Sequence, residues 1–212
     1  MNRFELISQI KKYKAFNEQE EKDKQVFLTA LEHDANCFHR SAQAHFTCSA
    51  WVVDEARTST VMVFHNIYNS WSWIGGHADG CQDLQVVALR ELAEETGITH
   101  ARIISWNNGT NAESSNLRAN EATSINEFTS PIFSIELLTV DGHEKRGEYV
   151  SSHLHLNVTY LVEASMTEPL RVKPDENSGV KWVPLNEVLA NSNEPWIRDR
   201  IYAKLLAKLQ TK

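Results

Sequence analysis

Apolar residues near the start of the chain return at helical spacing. The segment MNRFELISQIKKYK is amphipathic, and after Asn17 the positions Val26, Phe27, Leu28 and Leu31 supply a second apolar stripe. Asn17 followed three residues later by Glu20 has the form of a capping box, which predicts a helix of roughly 15 residues from that point. Residues 1–36 therefore read as a helical lead-in, and residues 1–40 as an N-terminal extension to a main domain spanning 41–212. Between Phe46 and Phe64 the period changes. Two runs rich in β-branched and aromatic residues, 47–53 and 59–64, flank the polar stretch 54–58, the pattern of a β-hairpin.

Aromatic residues at 70–74 then lead into a glycine-rich turn from Gly75 to Gly80. A helical segment follows and stops before Gly97, a residue suited to the position after a helix end. Residues 107–128 are rich in Asn, Ser, Thr and Glu without periodicity, which predicts an exposed loop. Strand patterns resume at Ile132–Val140 and at His153–Val162. In the second, Leu154, Leu156, Val158 and Tyr160 alternate with His153, His155, Asn157 and Thr159, giving one apolar and one polar face. A last strand at Val180–Val183 leads through Leu185–Leu189 to an amphipathic helix from about Trp196 to Leu209. No internal repeat is present.

Composition narrows the class. A chain of 212 residues with 42% hydrophobic and 23% charged positions is an ordinary globular sequence, long enough for one sizeable core. It has no run of about 18 apolar residues to span a membrane, and its first residues lack the form of a signal peptide, so a cytoplasmic location is expected. Cys37, Cys48 and Cys81 are odd in number and show no CxxC spacing, which predicts free thiols. The net charge of -7 disfavours nucleic-acid and anionic-membrane partners. An acidic protein acting on a phosphate would have to offset charge locally, with a few basic side chains or with metal.

Glu91, Glu94 and Glu95 stand at i, i+3 and i+4 of the helical segment, within an arc of about 100°. Like charges so placed cost an isolated helix about 0.2–0.5 kcal/mol per pair. Three glutamates alone are more often a solvated acidic face than a site. A hard divalent cation is the other explanation, because Mg²⁺ and Mn²⁺ prefer oxygen ligands. The spacing back to Gly76 decides between them. Gly76, Arg90, Glu91, Leu92, Glu94, Glu95, Gly97 and Ile98 fit the pattern G-x5-E-x7-R-E-U-x-E-E-x-G-U, where U is a bulky aliphatic residue. In this the chain resembles the Nudix hydrolase family, over about residues 40–190. One position departs: Gln82 stands where the pattern has its first Glu, with Asp83 beside it either substituting for that Glu or capping the helix. Altered metal affinity is expected more than lost activity.

The resemblance implies an α/β/α sandwich with a mixed β-sheet. It also implies that Glu91, Glu94 and Glu95, with the backbone carbonyl of Gly75, hold Mg²⁺ or Mn²⁺, and that Arg90 orients a neighbouring carboxylate. The reaction implied is attack of water on phosphorus in a diphosphate, with a small nucleotide-derived phosphate as substrate. Glu176, six residues before Trp182, matches the placement of a late-loop base, beside Glu94 and Arg90 in the catalytic set; Asp175 and Glu163 are the alternatives. His153 and His155 on a polar strand face, His77 next to the glycines, and Lys145 and Arg146 are candidate substrate-binding residues. A lone histidine is more often structural, and Lys145 and Arg146 read equally as surface charges. His39, Arg40 and His45 form a further polar cluster. Trp71 and Trp73 are either core or a platform for a base. A homodimer is left open. Two rivals are weighed: isopentenyl diphosphate isomerase, whose catalytic cysteine segment has no counterpart in residues 71–77, and a nucleotide-binding sensor with a vestigial box.

Overall fold

A computed structural model describes residues 1–106, 130–145 and 147–210 of the chain. The predicted loop 107–128 and Arg146 lie outside the described residues. Ala44–Val53 (β1) is the axis of the molecule. Phe46, Cys48, Ala50 and Val52 alternate along it with His45, Thr47, Ser49, Trp51 and Val53, and both sets are buried. A strand buried on both faces belongs inside a sheet with a parallel partner. That partner is the histidine strand, which runs in register with β1 from Ala44 opposite Leu154 to Val53 opposite Glu163.

Five further segments precede it. They are Ser59–His65 (β2), Ser70–Ser72 (β3), Ile74–His77 (β4), Ala101–Ile103 (β5) and Ile132–Val140 (β6). His143–Lys145 (β7) and Glu148–Val150 (β8) form a separate small hairpin. His153–Ala164 (β9) and Asn177–Pro184 (β10) complete the set. The sheet order is β10-β2-β1-β9-β5, with β3 on β2, β4 on β1 and β6 on β9. All these pairings except β1 with β9 are antiparallel, so the sheet is mixed.

The predicted hairpin is only partly realised. β1 and β2 are in register only at Val53 opposite Thr60; along residues 47–50 the neighbour of β1 is β4. Glycine makes that substitution feasible, since a Cβ on Gly75 would sit 2.6 Å from the Cys48 carbonyl oxygen.

Helices cover both faces. Arg3–Lys12 (α1), Glu18–His33 (α2) and Leu84–Thr96 (α3) bury Leu6, Ile10, Phe27, Leu31, Leu84, Val87, Ala88 and Leu92 against Phe46, Cys48, Ala50 and Val158. The opposite face holds Trp51, Val53, Phe133 and Leu161 beneath the C-terminal segment. That segment runs through a 3-10 turn at Leu185–Glu187, Val188–Asn191 (α4), a π-helical stretch at Ile197–Tyr202 and Ala203–Gln210 (α5). The result is the expected α/β/α sandwich. Truncating Phe27 or Phe46 to Ala would cost about 3–5 kcal/mol, since neither touches solvent. Thus α1 and α2, although N-terminal to the predicted main domain, share its core.

One expectation about the helices is corrected. The capping box belongs to α1, where the Asn2 side chain accepts from the Glu5 N–H and the Glu5 carboxylate accepts from the Asn2 N–H. Asn17 does cap α2, but the Glu20 carboxylate does not turn back to it. Glu20 instead enters the interior, where it accepts hydrogen bonds from Lys208, Tyr13 and Ser134. Trp71 and Trp73 pack, partly buried, against the second core, Trp71 under the Lys181 ammonium and Trp73 against Tyr202. The three cysteines are free thiols. Among the described residues no helix is long and apolar enough to cross a membrane.

Candidate active site

Close packing of α3 on β4 builds the site. A Cβ on Gly76 would lie 2.4 Å from the Glu91 carboxyl carbon, so only glycine lets that carboxylate press against the strand. At the other end of α3, Gly97 adopts φ +80° and its N–H closes onto the Ala93 carbonyl. At the start, Asp83 is the N-cap and accepts from the Val86 N–H. It also binds the Met1 ammonium, while Gln82 accepts from the Arg3 N–H at 2.9 Å. Both side chains that bear on the imperfect box position are therefore engaged with the N-terminal segment.

The carboxylates divide into two sets. Glu91, Glu95 and Glu176 each bring an oxygen within 4.8 Å of the others. Glu94 stands aside, 3.0 Å from the Lys173 ammonium and 3.9 Å from the Arg90 guanidinium. Arg90 contacts Glu91 at 2.7 Å and reaches the His77 carbonyl at 3.5 Å. Glu95 is the buried member, at 4% exposure, and accepts from the Gly75 N–H at 3.1 Å. Burial raises its carboxyl to about 8; the Gly75 hydrogen bond opposes this, and the charges of Glu176 and Glu91 add to it.

Glu176 reaches the cluster on a loop that sequence reasoning left undefined. Asn177, fully buried, donates from its side chain to the Glu95 carbonyl at 3.0 Å and accepts from the Lys173 N–H. Lys173 lies between Glu94 and Glu176, at 3.0 and 3.1 Å. Partial desolvation works against its charge, but those two hydrogen bonds raise its pKa. Neither Lys173 nor Asn177 carried a sequence signal beyond nearness to Glu176. Asp175 is not a member of the cluster, and Glu163 is paired with Arg102 on the far strand.

The histidines form a second group. His77, His153 and His155 meet one another together with His45. Lys145 is on β7, in the small hairpin apart from the main sheet.

A family model, the NUDIX domain, matches residues 45–205. The chain belongs to the NUDIX family. The matched span of this NUDIX chain contains the α3 carboxylates, Glu176 and all four grouped histidines, while α1 and α2 precede it. Membership makes it an enzyme of Nudix hydrolase type. No curated protein matches the chain. Solved structures similar to it include a NUDIX-family hydrolase from Clostridium perfringens, 19% identical, covering 78% of this chain and 95% of that one at a TM-score of 0.48. A C. elegans Ap4A hydrolase is 15% identical, covering 77% and 93% at a TM-score of 0.47. A MutT NUDIX hydrolase from Burkholderia pseudomallei is 18% identical, covering 79% and 99% at a TM-score of 0.44.

Proposed function

We propose that this NUDIX enzyme hydrolyses a diphosphate bond in a small, nucleotide-derived substrate, by attack of water on phosphorus in the presence of Mg²⁺ or Mn²⁺. The convergence of Glu91, Glu95 and Glu176 supports it most directly. Those three carboxylates and Glu94 share one lysine and one arginine, so when all four are ionised the pocket carries an excess of negative charge that would repel a phosphate. An oxygen-only donor set with surplus charge fits a hard divalent cation. Bound there, such an ion supplies a water of lowered pKa and neutralises charge on the departing phosphate.

The chain's own residues do the rest. Glu91 and Glu95 hold the cation from α3, with the Gly75 carbonyl on the adjoining strand as a further ligand. Arg90, 2.7 Å from Glu91, fixes that carboxylate's rotamer. Glu176, partly exposed on its pinned loop, takes the proton of the attacking water. Glu94 is drawn off by Lys173 and joins the ligands only when that pair opens. Incubation with nucleoside triphosphates, nucleotide sugars and ADP-ribose in Mg²⁺ or Mn²⁺, scored for product release, tests the reading. Turnover of one class by the wild type and its loss in Glu91→Gln are expected. Tight nucleotide binding without release would favour the sensor instead.

A further inference from the structure

Four histidines from three strands meet on the other side of β4. Gly75 and His77 alternate with Gly76 along that strand. A Cβ at 76 would point at Glu91, whereas one at 75 would meet the Ser49 hydroxyl at 2.7 Å. His77 is thus on the face opposite Glu91. His45 is opposite His155 in the parallel β1–β9 ladder, and His153 is two residues before His155, on the same face. His77 is opposite Thr47, one step along the same face of β1 from His45. Each imidazole brings one nitrogen within 4.8 Å of the rest, and the ring centroids of neighbours lie 4.9–5.3 Å apart.

Hydrogen bonds set which nitrogen faces inward. His45 Nδ1 is 2.8 Å from the Ala42 carbonyl and His153 Nδ1 is 2.9 Å from the Ser151 carbonyl. A carbonyl only accepts, so in both rings Nδ1 carries the proton and Nε2 presents a lone pair. A backbone carbonyl behind the far ring nitrogen is the usual support of a metal-binding histidine. His153 Nε2 lies 3.1 Å from His155 Nε2, a contact that one shared proton satisfies. Among the described residues no group satisfies His45 Nε2. Its residue is 2% exposed, and its Nε2 is buried without a hydrogen-bond partner. An acceptor so placed costs about 1–3 kcal/mol unless something fills its direction.

We propose that His45, His77, His153 and His155 bind one divalent transition-metal ion of the zinc class, at a site separate from the α3 carboxylates. The donor set carries no charge and no oxygen, which suits Zn²⁺, Co²⁺ or Ni²⁺ and not Mg²⁺. Zn–N bonds of about 2.0–2.1 Å place tetrahedral donors about 3.3 Å apart. The His153–His155 pair, at 3.1 Å, already has about that separation, and the nitrogens of the other two rings start within 4.8 Å. Four protein ligands leave no position for a reacting water, so the ion ties β1, β4 and β9 together behind the box. The assignment stands independently of the diphosphate reading.

Titration of the metal-free full-length protein with Co²⁺ in excess Mg²⁺, read by visible ligand-field absorption, tests it. One equivalent is expected to give a tetrahedral spectrum that Zn²⁺ abolishes. His153→Gln and His77→Gln, both at partly exposed rings that tolerate change, should each weaken binding more than about tenfold. Glu91→Gln should leave the spectrum unchanged. Zn²⁺ should also raise the Tm of the wild type by roughly 5 °C or more at saturation, and not that of His153→Gln. Absence of the spectrum in the wild type, its survival in both histidine variants, or its loss in Glu91→Gln would overturn the assignment.

Discussion

Among the described residues one cluster of glutamate and lysine lies in the interior and another around α3, and they differ in charge balance. In the interior, Lys204 and Lys208 from α5 meet Glu20 from α2 and Glu136 from β6 at 2.6–3.1 Å, all four side chains at 0–3% exposure. Two cations face two anions. Glu136 Oε2 accepts from Asn157 and Thr159, and Lys208 also donates to the Phe133 carbonyl. Around α3, four carboxylates share Lys173 and Arg90, and the pocket opens to solvent. A balanced, closed cluster holds the fold together. A surplus that stays accessible has to be balanced by something that arrives. Residue type alone does not separate the two; stoichiometry and access do.

The contrast can be broken most severely from inside. Lys208→Met should destabilise the protein by about 3–5 kcal/mol in chemical denaturation, because Glu20 keeps a buried charge with half its compensation gone. Turnover per folded molecule should stay at the wild-type value, and a turnover defect without destabilisation would make the interior cluster functional after all. Glu95→Gln should do the reverse. Turnover should fall roughly 100-fold, matching about 3 kcal/mol of lost charge stabilisation. Metal-free stability should hold, because burial already keeps the Glu95 carboxyl largely protonated near neutral pH and the isosteric amide still accepts from the Gly75 N–H. Unfolding of the variant would mean that Glu95 is part of the framework.

Acid sharpens the comparison further. Burial pushes the Glu20 carboxyl up, but the ion pairs with Lys208 and Lys204 outweigh it and hold the group at about 2, against an ordinary value of 4.5. A carboxyl depressed in the folded state stabilises fully above its unfolded pKa and loses that contribution as pH falls through the folded one. Thermal unfolding should therefore show a stability loss between about pH 4.5 and 2 that flattens in Glu20→Gln. The smallest effect belongs to Lys173→Met. Releasing Glu94 and Glu176 from an exposed pair worth about 0–1 kcal/mol should tighten the apparent Mg²⁺ affinity of turnover by no more than about fivefold. A larger loss of activity would place Lys173 on the substrate.

Much of this was readable from spacing. The period-2 alternation of residues 153–160 marked a strand whose polar face is the one that meets His45 and Glu136, and the fixed distance from Gly76 to Glu91 marked the box. Local patterns carry such features because one strand or one helix decides them. Register across strands does not show in a local pattern. The displacement of β2 by β4 along β1 depends on partners 24–30 residues away, the pinning of Glu176 by Asn177 on one 82 residues away, and the removal of Glu20 to the interior on one 188 residues away. The histidines illustrate the limit. His153 and His155 read as a pair on one strand face, His77 by itself and His45 with His39 and Arg40, yet only the parallel pairing of β1 with β9 brings His45 among the other three.

The partnership of Glu20 with Lys208 also bears on biosynthesis. Their hydrogen bond spans 188 residues, and Lys204 follows the same route from the same helix. As the chain emerges from the ribosome, two acidic side chains meant for the interior have no counter-charge until nearly the last of the sheet's helices has been made. Stable closure of the second face is thus deferred to a late moment in translation, and a ribosome that stalls before residue 204 leaves a nascent chain that cannot finish folding.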